Sequence, residues 1–117
     1  MEKNPLKIPQ AVQHTYDLIL WAIPILANFP KSHKFLLGDR VESKLLDLLD
    51  NLLAAYYSKE REQFLRQASL EVEQVRFLFR LVKDLGLFNL EKYKNASEKI
   101  DEIGKMIGGW LKTLPRH

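Results

Sequence analysis

Apolar residues along this chain recur at alternating steps of three and four, in four long runs. In the last run Tyr93, Ala96, Ile100, Ile103, Ile107, Trp110 and Leu114 keep that spacing without a break. A period near 3.6 places such residues on one face of an α-helix and does not suit a strand, whose side chains alternate every second residue. The third run carries Phe64, Ala68, Val72, Val75, Leu78, Val82 and Leu85, and the second Val41, Leu45, Leu48, Leu52 and Tyr56. The first is apolar almost all round. Val12, Tyr16, Ile19, Ile23 and Leu26 form the stripe expected to face a core, with Leu18, Trp21, Ala22 and Ile25 on the other side.

Punctuation between the runs predicts helices over about 9–28, 32–57, 59–85 and 90–114. Pro9 suits a first helical turn, and Phe29-Pro30 closes what it opens. Ser32 is expected to cap the second helix and Asn89 the fourth, while Gly86 fits the position just past the end of the third. Pro24 removes one backbone bond inside the first helix, and Pro115 stops the last. Connections this short force antiparallel neighbours. The expected fold is all-α: one domain, residues 1–117, built as an up-down-up-down four-helix bundle.

Hydrophobic residues at 46% and charged residues at 28% exclude a disordered or low-complexity chain. The chain has no cysteine, which excludes disulfides, thiolate metal sites and a cysteine nucleophile. The longest apolar run, Leu18 to Phe29, is interrupted by Pro24 and Asn28 and falls well short of the ~20 residues that cross a bilayer. MEKNPLKIPQ lacks the apolar core of a secretory leader. The expected location is therefore cytoplasmic, with no membrane partner.

These helices are more apolar than one bundle core requires. The second adds Leu46, Leu49, Leu53 and Tyr57 beside its stripe, and the third adds Leu70 and Phe77 roughly opposite its own. Left in water, they would form patches larger than monomers usually expose. Either flexible side chains and an irregular bundle absorb this excess or, as patch size favours, a second surface is buried by copies of the chain or by an obligate partner.

Net charge is +3, divided as zero over residues 1–30 and 31–57, +1 over 58–86 and +2 over 87–117. The basic residues form short stripes: Arg76, Arg80 and Lys83 on one flank of the third helix, Arg40 with Lys44 on the second, and Lys105 with Lys112 on the fourth, with Lys94 on nearly the same face. Lys31, His33 and Lys34 cluster between the first two helices. Ion pairs Arg80–Asp84 and Asp101–Lys105 are expected at i, i+4. Repetition of the stripes in an oligomer would add their fields and favour phosphate, independently of base sequence.

Catalytic patterns are missing. No Glu-x-x-His pair exists, and His14, His33 and His117 share no ligand spacing. No arginine precedes a histidine by four to six residues, and Glu71 and Glu73 point apart on a helix. Neither a cofactor nor a metal is expected. Gly104 and Gly108, each costing about 1 kcal/mol inside a helix relative to alanine, call for the close approach of another helix. Gly109 faces away and would let a neighbouring subunit or ligand approach.

Four pieces of sequence carry a resemblance: Phe29-Pro30-Lys31; Phe35-Leu36-Leu37-Gly38-Asp39-Arg40; the run from Val75 to Leu85; and the ending from Ile103 to Lys112. Together, in this order and spacing, they resemble the accessory variability determinant (Avd) of diversity-generating retroelements, within a wider group of four-helix-bundle proteins encoded in intervening sequences of 23S ribosomal RNA genes. The resemblance implies a homopentameric barrel without enzymatic activity. It implies binding of a reverse transcriptase and of RNA or DNA, in support of mutagenic copying (retrohoming) into a variable gene. Carried over by position, it implies nucleic-acid contacts at Arg40, Arg76, Arg80, Lys83, Lys105 and Lys112. The alternative class is a helical homo-oligomeric scaffold with no nucleic-acid role.

Overall fold

Pro9, with φ −57° and no amide hydrogen to leave unpaired, leads into helix α1, Gln10–Ala27. The structure, a computed structural model, describes residues 8–115. The second helix does not begin with a Ser32 cap. The carbonyl of Pro30 accepts from the amides of His33 and Lys34 at 2.8 and 2.9 Å, so the chain turns helical directly after the proline, over Lys31–His33, with Ser32 already inside. A π-helical segment follows, Lys34–Gly38, and then α2, Asp39–Tyr57. The wider π turn carries an additional residue. It leaves Phe35 and Leu36 facing water, Leu36 at 82% exposure, and turns Leu37 and Gly38 inward against α1.

Helix α3, Arg61–Asp84, ends in two reversed hydrogen bonds, Gly86 amide to Lys83 carbonyl and Leu87 amide to Val82 carbonyl, both 2.9 Å. That closure needs a left-handed residue, supplied by Gly86 at φ 78°. Helix α4, Leu90–Lys112, is capped by Asn89, whose side chain accepts from the Lys92 amide at 2.7 Å.

Helix α2 packs on α1 and α3, and α4 packs on α3 and α1, so the four helices stand at the corners of a square, 47 Å long and 25 by 22 Å across. No strand occurs among the described residues. The core runs the length of the bundle, through Leu18, Leu45, Leu48, Leu52, Leu65, Phe79, Ile100, Ile103 and Ile107. Phe88, in the α3–α4 connection, is buried at one end, its ring edge-on to Trp21 and Phe29 and tilted against Phe79.

The rotation of α1 differs from the expected one. Ala11, Val12, Thr15, Leu18, Ile19, Ala22 and Leu26 face the core, whereas Tyr16 and Ile23 are exposed. Small residues at 11, 15 and 22 let α1 sit close to its neighbours, so the buried arc is centred on Thr15 rather than on the bulkiest side chains. Thr15 itself is satisfied, its hydroxyl donating to the Ala11 carbonyl at 2.7 Å. At the ends of α2 and α3, Tyr56 is half-buried and Leu85 exposed, while Leu65 and Phe79 join the core.

Candidate nucleic-acid interface

The basic stripe of α3 lies along its contact with α4. Arg76 reaches Glu73 on its own helix, and its Nε stands 2.9 Å from Asp101 Oδ1 of α4, an ion pair rather than an aligned hydrogen bond. Asp101 therefore does not pair with Lys105 as expected, because the closer cation comes from the packed helix. Lys83 lies 3.0 Å from Asp84 and stacks over the Tyr93 ring at 4.9 Å. Arg80 extends into solvent with only a loose approach to Asp84, 3.9 Å. These ion pairs are largely solvent-exposed and hold the side chains only weakly.

The remaining three candidates do not join that stripe. Arg40 sits on the first turn of α2, on the opposite flank of α3, where it and Lys44 edge a groove with Glu73, Gln74, Phe77, Leu78 and Leu81. The groove has a volume of ≈ 550 Å³. Lys105 and Lys112 are exposed on the second half of α4. Among the described residues, Arg40, Lys44, Lys105 and Lys112 form no ion pair.

The fold sorts charge in a way the segment sums conceal. With Lys31–Tyr57 taken as one helical run, each helix divides at its midpoint, and antiparallel packing gathers the second half of one with the first half of the next. The end bearing the α1–α2 and α3–α4 connections, residues 19–44 and 73–100, holds ten cations and six carboxylates. The other end, residues 8–18, 45–72 and 101–115, holds five cations and eight carboxylates. Over the described residues, 8–115, one half is thus +4 and the other −3; Glu2, Lys3, Lys7 and Arg116, outside them, bring the chain to +3. Arg40, Arg76, Arg80 and Lys83 belong to the basic half, joined there by Lys92, Lys94 and Lys99; Lys105 and Lys112 belong to the acidic half. Summing the sequence by half-helices rather than whole helices would have exposed this.

Gly104 packs as its face predicted: a Cβ there would meet Arg76 Nη2 at 3.1 Å and Val72 Cγ1 at 3.3 Å. Gly108 does not, for nothing lies within 4 Å of where its Cβ would be, and the same holds for Gly109. Of the histidines, His14 is exposed, His33 is half-buried and His117 lies outside the described residues. No cluster of histidines and carboxylates able to hold a metal occurs among the described residues, and no helix there is long and apolar enough to cross a membrane.

A family model described as bAvd-like matches residues 11–114, all four helices and their connections. The chain belongs to the bAvd-like family. A search of curated proteins finds no match to it. Surface cations on helix flanks are groups able to pair with phosphate.

Proposed function

We propose that this bAvd-like chain is a non-enzymatic accessory protein of a diversity-generating retroelement. It assembles into a homopentameric barrel, binds RNA or cDNA phosphates, and works beside the reverse transcriptase during mutagenic retrohoming. The supporting observation is the separation of charge between the two ends of the bundle. In a ring of parallel copies every basic end falls on the same side, so a modest +4 becomes a continuous electropositive face, and such fields add across neighbouring subunits. Arg40, Arg80 and Lys83 are the leading phosphate ligands on that face, with Arg76 held beside them by its carboxylate partners. Lys105 and Lys112 provide lower, separate contacts along α4. Contacts of this kind position a nucleic acid without reading its bases, which suits a factor that must act along a whole template.

The test is binding of a fluorescent single-stranded RNA across a salt series, by anisotropy. The double variant Arg80→Glu, Lys83→Glu should lose affinity by ~10-fold or more at low salt, and each lost contact should flatten the log–log salt slope by about 0.7. Its oligomeric state should be unchanged. Undiminished RNA binding by this variant would remove the assignment. No binding by the parent protein at low salt would leave the scaffold class instead.

A further inference from the structure

Two outward stripes on this molecule share one spacing. On α2, Leu46, Asp50, Leu53 and Tyr57 follow i, i+4, i+7, i+11; on α3, Leu70, Gln74, Phe77 and Leu81 do the same. This is the seam spacing of packed helices, apolar but for one polar residue in each. Leu70, Phe77 and Leu81 are exposed, Phe77 at 67%, as are Leu46 and Tyr57. Arg40 and Lys44 flank the α3 stripe and edge its groove. They lie on the side of α2 that faces α3, roughly 130° round the helix from the Leu46 stripe. The stripes therefore occupy different faces of the bundle.

Their charges are complementary. Glu73 in the groove is engaged by Arg76, which leaves Arg40 and Lys44 as its uncompensated charges. The α2 stripe carries Asp50, which has no cationic partner among the described residues. Gln74 supplies a further signal, since its Oε1 is buried beside the groove with no hydrogen-bond donor. Pairing the α3 stripe with its own copy would set the cations of two grooves together, and pairing the α2 stripe with itself would oppose two Asp50 carboxylates. Only the mixed pairing joins opposite charges.

We infer that the α2 stripe of one copy seats in the α2–α3 groove of the next, with Asp50 meeting Lys44. The contact rests on the self-assembly proposed above and names its surface. It is head-to-tail, so copies add in one direction until the rotation closes a ring. In a ring whose bundles tilt enough to shift each α2 about six residues, ~9 Å, along its neighbour, α2 of one copy runs antiparallel to α3 of the next. Leu46 then lies against Leu81, Asp50 against Phe77, Leu53 against Gln74 and Tyr57 against Leu70, and Asp50 falls level with Lys44. Lys44, half-buried in the groove wall, becomes an interface residue, while Arg40 stays at the rim, free for phosphate.

Charge exchange on the full chain tests this by sedimentation velocity or light scattering. Asp50→Lys and Lys44→Asp should each shift the protein toward its 13.7 kDa protomer, and the two together should restore the parent assembly. The chain has no cysteine, so Leu53→Cys and Gln74→Cys proteins can be mixed and oxidised, and a disulfide-linked pair should form only in the mixture. Single variants that assemble like the parent, or Gln74→Cys protein that cross-links to itself, would overturn this surface while leaving self-assembly standing. Single variants that dissociate with no rescue in the double would overturn the Asp50–Lys44 pairing. A parent protein that is a lone protomer at micromolar concentration would overturn both this contact and the assembly it rests on.

Discussion

At the scale of single residues, the most consequential polar contact is one that periodicity cannot see. Glu71, only 3% exposed, lies at the α2–α3 contact, and Asn51 Nδ2 donates to both of its carboxylate oxygens at 2.8 and 3.0 Å. In the sequence Glu71 reads as a solvated position, because its burial depends on which helix packs against it. Asn51→Leu should destabilise the fold by about 1–3 kcal/mol by stripping the donor from a buried carboxylate, whereas Asn51→Leu with Glu71→Leu should recover most of that loss. Urea unfolding of the three variants measures it. The helix-interior glycines make a second comparison. Gly108→Ala should stabilise the protein by about 0.5–1 kcal/mol, as its Cβ enters open space, while Gly104→Ala should forfeit that gain against Val72 and Arg76. Equal gains at both positions in thermal melts would contradict the packing at Gly104.

At the scale of elements, what the sequence makes legible is what local chemistry alone decides. Asn89 and Gly86 act through their own backbones, and their roles follow from residue type and position. The cap can be weighed directly: Asn89→Ala should cost about 1 kcal/mol and lower the melting temperature by roughly 4 °C, with Asn89→Asp close to the parent. The π segment is a different matter. No residue in Lys34–Gly38 announces an additional residue per turn; it arises because Pro30 fixes where the second helix starts, while Val41, Leu45 and Leu48 fix how its later turns face the core. The two registers differ, and the wider turn absorbs the difference. The rotation of α1 was hidden for a related reason. A helix apolar on all sides offers no contrast, and the choice fell to the small residues Ala11, Thr15 and Ala22.

At the scale of the whole molecule, four segments that are nearly neutral one by one become, over the described residues, a body with a basic half and an acidic half. Topology creates this property, since it appears only when half-helices are added across antiparallel neighbours. The candidate site was accordingly legible as residues and not as a surface. Arg76, Arg80 and Lys83 could be grouped by spacing, but Arg40 lies across α3 from them, and Lys105 and Lys112 fall at the other end. The excess of apolar side chains was legible too, and the structure keeps Leu46, Leu70 and Phe77 outward.

The same lengthwise sorting of charge has a consequence for the protein on its own. With the described residues' opposite charges separated along a 47 Å body, the top of one particle attracts the base of another. At an ionic strength near 0.01 M, where fields reach about 30 Å, particles should string end to end into columns; near 0.15 M, where they reach about 8 Å, the columns should fall apart. Light scattering should rise on dialysis into low salt and collapse on adding either salt or a short RNA, because an RNA seated on the positive pole occupies the place where the next particle would dock.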